Sequence, residues 1–296
     1  MQTVLITGAN GFVGHYLTGR LLRSGYKVIA TGKGAERLQF SHAHYQYHSL
    51  DITDAEAVSA VFQKYAPQLV VHGAAMTKPD ECELAKDAAY KVNVGGTENL
   101  LAVATANGQP FFLHISTDFI FKGTAPFYTE SDAGDPVNYY GLTKLEAEEK
   151  VKQYGGDWTI VRPILIYGQP QAGRSNILTF VADALRAGKP VRLFTDQQRR
   201  PTYVEDLVWG MERIMKKRAT GIYHFSGKDT LSPFDIGIRV AIYVGLDTGL
   251  VQPVTEAEFY QPAKRPPQTL FDLTKVEKEL GYEPTSFEEG LRRTFG

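Results

Sequence analysis

"LITGANGFVGHYL", residues 5–17 of a 296-residue chain, runs from an apolar strand into a glycine turn and then into a helix with one apolar face. Gly8 permits the tight turn, Gly11 lets backbone approach a pyrophosphate, and Gly14 lets helix and strand pack closely. Unpaired amides and the positive dipole end at the start of such a helix face the phosphates. A glycine-rich turn without a ligand is the plain alternative. Context weighs against it, because the pattern directly follows a strand and opens a helix. Asn10, Phe12 and Val13, between the glycines, belong to the same cofactor-facing turn.

Outward from this turn, strand and helix patterns alternate. Runs rich in β-branched residues at 4–7, 27–31, 69–72, 111–116 and 158–162 are separated by helical spacing at 13–23, 55–65, 90–106 and 140–154. Such alternation predicts an α/β fold, a Rossmann-type doubly wound parallel sheet with helices on both faces. Residues 162–175 are rich in proline and glycine; beyond them, helices are expected over 177–187, 234–244 and 275–280, and a core strand within 221–227. The reading is a dinucleotide-binding domain over 1–164, re-entered around 203–228, and a smaller, discontinuous region, mainly substrate-binding, over 165–296. That region would cover the carboxyl ends of the strands, where ligands bind in such sheets.

Composition sets limits. Hydrophobic content of 43%, charged content of 22% and a net charge of -1 are those of an ordinary globular chain. Nothing in that balance calls for a nucleic-acid or membrane partner. The one cysteine, Cys82, can form no intrachain disulfide and no thiolate metal cage. The opening "QTVLIT" has neither a basic region nor a long apolar run, so a cytoplasmic location is expected.

A second motif carries chemistry. "PVNYYGLTKLEAEEK", 136–150, places two tyrosines ahead of a lysine at a helix start. At about 100° per residue, Tyr140 shares a face with Lys144, whereas Tyr139 diverges by about 140°. A phenol with a pKa near ~10 needs help to exchange a proton at neutral pH, and a cation on its face favours the phenolate. The preceding strand, "FFLHISTDFIF", ends in Ser116 and Thr117. Thr117, supported by Ser116, could hold a substrate carbonyl oxygen beside the phenol; strand-end capping is the alternative. "HGAA", 72–75, ends its strand in small residues, so the backbone at Ala74 and Ala75 can lie along a cofactor. At the end of the second strand, "YKVIATGKGAERL" offers Lys33 and no carboxylate until Glu36. NAD-specific sites place an acid there for the ribose 2′-hydroxyl. NADPH is therefore the expected cofactor, with NADH still usable and Lys33 facing the 2′-phosphate; a solvated loop lysine is the alternative.

The Gly-x-x-Gly-x-x-Gly spacing resembles that of the short-chain dehydrogenase/reductase superfamily. "ISTDFIFKG", "NYYGLTKLEAE", "RRPTYVEDL" and "RPPQTLFDLTKVEKELG" resemble the dTDP-4-dehydrorhamnose reductase family within its extended branch, over nearly the whole chain. The resemblance implies an NAD(P)H-dependent reductase of a nucleotide-linked 4-keto-6-deoxy sugar, taking dTDP-4-dehydro-L-rhamnose to dTDP-L-rhamnose. Thr117, Tyr140 and Lys144 would be its catalytic set, Tyr140 the general acid, with Tyr140 and Lys144 also touching the cofactor. It implies Asp51 and Ile52 at the adenine, with a turn residue or helix cap as the lesser alternative for Asp51. It implies Asn93 in a core-helix slot near the cofactor, or else as a polar residue tied to backbone. Ser116, Asp118, Phe119, Asn176, Arg200 and Arg265 would meet the nucleotide-sugar, the arginines through a planar fork suited to a diphosphate.

Two departures stand out. Leu165 replaces a tryptophan common in the family, and Tyr16 replaces a carboxylate that bridges a metal in some members, so no metal is expected. A homodimer is left open. An epimerase or a reductase of another nucleotide-sugar remains an alternative reading. So does a non-catalytic cofactor-binding subunit resembling the β subunit of methionine adenosyltransferase.

Overall fold

A computed structural model describes residues 1–170 and 175–296; residues 171–174 of the proline- and glycine-rich run lie outside the described residues. The strands are β1 (Thr3–Thr7), β2 (Lys27–Gly32), β3 (Tyr45–Ser49), β4 (Leu69–His72), β5 (Phe111–Ile115) and β6 (Trp158–Pro163), and Gly221–Phe225 completes the main sheet. The sheet has seven strands in the order Gly221–Phe225, β6, β5, β4, β1, β2, β3, all parallel. Every residue of β1 and β4 is buried, as both faces carry helices.

One face packs α1 (Phe12–Arg23) and the helix Val204–Lys217 through Leu17, Leu21, Val208, Met211 and Ile214. The other packs α2 (Ala55–Tyr65), α5 (Gly96–Ala106) and α6 (Tyr139–Lys152) through Val58, Phe62, Leu100, Ala104 and Val151. A third apolar cluster, with Leu178, Val181, Leu193, Ile236 and Leu291, lies among the C-terminal elements. Chain progression reverses between β1 and β4, and at such a switch point a crevice opens outside the carboxyl ends of the strands.

Several elements differ from the expectation. The polar strand β3, "YQYHS", was not expected; it is a half-exposed edge strand with little apolar signal. The helix Val204–Lys217 was not expected either. The helix expected over 90–106 begins with a five-residue π turn, Lys91–Gly95, before α5, and two short helices not expected, α3 (Pro79–Leu84) and α4 (Lys86–Tyr90), precede it. Asn93, at the centre of the π turn, explains the irregularity. Its Oδ1 accepts from Met76 N at 2.8 Å, and its Nδ2 donates to Met76 O and to Thr143 Oγ1 at 2.9 Å. Widened turns of this kind occur where a side chain must be re-aimed.

Candidate active site

The glycine turn sits at the switch point. Gly8 has φ +73°, and a Cβ there would lie 2.7 Å from Ala74 N and from Gly73 O. A Cβ at Gly14 would lie 2.5 Å from Gly8 O. Turn, strand end and helix thus meet backbone to backbone, with Ala74 and Ala75 half-buried beside the turn. Gly11 caps α1 without a side chain, and the first turn of that helix carries no acid. Free first-turn amides and glycines too crowded for any side chain fit the pyrophosphate of a dinucleotide.

The rim of this turn is built differently from the sequence expectation. The Asn10 side chain serves the protein itself: its Nδ2 donates to Ala35 O and Tyr47 OH, and its Oδ1 accepts from Arg37 N. The Tyr47 hydroxyl also reaches Gly32 O and Gly34 O, at 2.9 Å each, so the loop after β2 is pinned from two sides. Lys33, 82% exposed, forms a 2.7 Å ion pair with Asp51. That contact, then Thr53 N, holds the Asp51 carboxyl down at about 2. Ile52 is buried, its side chain occupying the space beside Gly96 that a Cβ there would need.

The second half of the site forms where α6 crosses the end of β5. Asn138 caps α6 by accepting from Gly141 N at 2.8 Å. A Cβ at Gly141 would lie 2.1 Å from Phe119 O, so only glycine lets the helix approach the loop after β5 this closely. The buried stripe of α6 includes Tyr140, Lys144 and Glu148, at i, i+4 and i+8, where a core helix ordinarily places apolar side chains. The Tyr140 phenol is held protonated: burial raises its pKa first, and a hydrogen bond with the Thr117 hydroxyl opposes that rise. The Phe119 ring stands edge-on to it at 6.0 Å. Tyr139 points elsewhere, under the Lys86 ammonium.

Lys144 departs from the expectation that it would pull the phenol toward its anion. Its Nζ donates to His114 Nε2 at 3.0 Å and to Ile115 O at 2.8 Å. Burial lowers its pKa to about 8, with Glu148 acting the other way. Glu148 in turn accepts from Arg162 at 2.6 and 3.0 Å and from Ser116 Oγ at 2.5 Å, all of it buried.

Several residues expected at the substrate have internal partners instead. The Ser116 hydroxyl is engaged by Glu148. Asp118 is buried, its Oδ2 accepting from Thr269 Oγ1 at 2.5 Å and lying 3.9 Å from Arg199 Nε. Asn176 caps the helix Ile177–Arg186 and donates to Gly168 O. Arg200 Nε donates to Thr230 Oγ1, and its guanidinium lies over the Phe127 ring. Arg265 grips Asp80 with two bonds, of 2.7 and 2.9 Å, stapling the C-terminal loop to α3. Asn93 reaches the site only through Met76 and Thr143, whose hydroxyl donates to Tyr140 O. Thr117, Phe119, Tyr140 and Lys144 are thus gathered in one place, whereas Asn176 and Arg200 are engaged at other points of the C-terminal region.

His114, the Ile115 carbonyl and Glu148 were absent from the sequence reading. A signal was present: on a strand, residues two apart share a face, so His114 and Ser116 point to the same helix. They meet Lys144 and Glu148, one helical turn apart on α6.

Residues 1–296, the whole chain, match the family described as "RmlD substrate binding domain". The methionine adenosyltransferase 2 subunit beta of Mus musculus is 30% identical over 99% of this chain and 87% of its own length. The "Probable low-salt glycan biosynthesis reductase Agl14" of Haloferax volcanii is 32% identical over 97% of this chain and 95% of its own. Among solved structures, the dTDP-4-dehydrorhamnose reductase of Bacillus anthracis, in complex with NADP, is similar with a TM-score of 0.84 and 29% identity, over 99% of this chain and 98% of that one.

Proposed function

The chain belongs to the RmlD substrate binding domain family, and on that premise we propose that it is a nicotinamide-dependent reductase of a nucleotide-linked 4-keto-6-deoxy sugar. The observation that carries the reading is the Tyr140 phenol buried at the end of β5, with Thr117 and Phe119 beside it and Lys144 one turn along the same buried stripe of α6. The dTDP-4-dehydro-L-rhamnose to dTDP-L-rhamnose conversion is its most specific form. When bound, a reduced nicotinamide supplies the hydride. Thr117 holds the ketone oxygen, and Tyr140, kept protonated by burial, gives its proton to that oxygen as negative charge develops. Positioned proton donation of this kind contributes ~10²–10⁴ in rate. Residues 1–164 and the re-entrant 203–228 would hold the cofactor, and the remaining C-terminal region the nucleotide-sugar, with Phe119 against the sugar and Arg265 toward the diphosphate. NADPH is the favoured cofactor because Lys33 stands at the end of β2, where no carboxylate precedes Glu36.

The match to the β subunit of methionine adenosyltransferase supports a second reading, a cofactor-binding partner without turnover. One experiment separates them: nicotinamide oxidation followed across a panel of nucleotide-linked 4-keto-6-deoxy sugars, with NADPH and NADH at low and high salt. Turnover supports the reductase; tight binding of a nicotinamide with no turnover of any sugar overturns it. Lys33→Ala should lower kcat/KM for NADPH a few-fold and leave NADH unchanged, more so at low salt, because exposed charge contacts are weak and screened.

A further inference from the structure

Lys144 is held from the side opposite to the one its motif suggests. A buried ammonium is ordinarily paired with a carboxylate; here the direct partners are a neutral ring and a carbonyl. We propose that His114 is a positioning residue for Lys144, its neutral imidazole accepting one ammonium hydrogen through Nε2 and so fixing both the place and the charge of Nζ. The inference rests on the reductase reading and deepens it.

Three observations carry it. The first is geometry: β5 sets His114 Nε2 3.0 Å from Nζ and Ile115 O 2.8 Å from it, so two of the three ammonium hydrogens are taken by one strand. The third hydrogen is left for a ligand. The second is the tautomer. An ammonium can only donate, so Nε2 must accept and the ring proton must sit on Nδ1. Nδ1 is buried and has no partner in the structure. An unmet buried donor is costly, and the core bears that cost so that Nε2 can accept from the ammonium; His224 bears the same cost toward the Arg162 guanidinium. The third is the neighbouring ring, His72, 5.0 Å away on β4. Thr97 Oγ1 already donates to Asn93 O, so it accepts from His72 Nε2–H. His72 Nδ1 then accepts from the Thr7 hydroxyl, which itself accepts from Ala74 N. His72 is thereby fixed in the opposite tautomer to His114, and neither ring can take up a second charge beside Nζ. Burial keeps both neutral, His72 down to about 3 and His114 well below its ordinary value.

The charged and titratable groups acting on Nζ are therefore His72 from β4, His114 from β5 and Glu148 from α6, with Arg162 of β6 behind Glu148 and Tyr140 one turn back on α6. Of these, Glu148 favours the ammonium by charge and His114 by a hydrogen bond. Losing the acceptor disfavours the charged form, so the Lys144 pKa falls. Above that pKa the amine is neutral, and activity that needs the ammonium is lost as pH rises.

The test uses the full chain without ligand. Lysine side-chain carbon shifts report the Lys144 titration midpoint, and imidazole nitrogen shifts report tautomers among the seven histidines. Wild type should titrate near 8, with His114 protonated at Nδ1. His114→Phe should lower the midpoint by about one pH unit, the scale of one hydrogen bond to a charged group. His114→Gln places an amide oxygen where Nε2 lies and should restore most of the midpoint. His114→Leu substitutes for His114→Phe if the larger ring prevents folding. In turnover, the alkaline limb of kcat/KM should shift with the midpoint in each variant, giving about a threefold loss at pH 7.5 for His114→Phe from protonation alone. An unmoved midpoint in His114→Phe overturns the proposal, as does an Nε2-protonated His114 or a Gln variant no better than Phe. If wild type turns over no sugar, the reductase reading fails, while the midpoints still decide whether His114 holds Lys144.

Discussion

Replacing Glu148 with glutamine tests how far this site rests on an ion pair sealed in the core. Glu148 and Arg162 side chains are 0% and 2% exposed, and the carboxylate takes two bonds from the guanidinium, of 2.6 and 3.0 Å. Ser116 Oγ completes the carboxylate, while His224 Nε2 at 3.3 Å and the Phe121 ring at 5.3 Å complete the guanidinium. Glutamine keeps the shape and one acceptor but leaves the Arg162 charge buried and uncompensated. Breaking a buried pair from one side costs about 3–5 kcal/mol. For a chain of 296 residues, an unfolding entropy of about 0.6 kcal/mol per degree turns that into a fall of about 5–8 °C in Tm. Thermal and urea unfolding of Glu148→Gln, Arg162→Met and Glu148→Leu/Arg162→Met should show each single variant well below wild type. The double variant should lie above Glu148→Gln, since no bare charge remains, yet below wild type because Ser116 and His224 lose partners. A single variant within about 1 kcal/mol of wild type would refute the reasoning, because the pair would then not be desolvated. So would a double variant worse than the sum of the singles.

Tyr140→Phe should cut kcat by ~10²–10⁴ with little change in Tm, whereas Tyr139→Phe should be mild; steady-state kinetics with a dead Tyr139 variant would reverse the assignment. Arg265→Ala should raise the sugar-nucleotide KM and spare nicotinamide binding. Asp80→Asn, which frees the same guanidinium, separates the possible reasons. If Arg265 serves the ligand, its KM falls or holds in Asp80→Asn; if the two variants lose activity alike, the Asp80 staple is what matters.

The parallel sheet was readable because strands covered on both faces are continuously apolar, as at 69–72, and because a glycine turn joins strand to helix at 5–17. The family resemblance carried by "ISTDFIFKG" and "NYYGLTKLEAE" is the family that the whole chain matches. β3 escaped because "YQYHS" at a sheet edge lacks the apolar run that marks its neighbours. The helix Val204–Lys217 carries a signal in the sequence, with Val204, Leu207, Val208, Met211, Ile214 and Met215 buried along it at helical spacing. At the site, helical phase selects Tyr140 over Tyr139 from five residues of text. The partners of Lys144, Asp118 and Arg265 come from 30, 151 and 185 positions away, and no local pattern reveals contacts formed at that range.

The π turn at Lys91–Gly95 makes its segment sensitive to length more than to spelling. Exchanging Val92 or Val94 for another apolar residue adjusts packing by increments. Losing one residue there would restore a regular helix with better internal bonding, yet swing the preceding residues by about 100° relative to those that follow. Asn93 would then leave Met76 and Thr143, and the carbonyl of Tyr140 would lose its link to the end of β4. Substitution can therefore wander through this stretch over evolutionary time, while deletion is closed to it. Related chains that keep the site should hold Asn93 and the residue count between β4 and α5 constant even where the letters around Asn93 have changed.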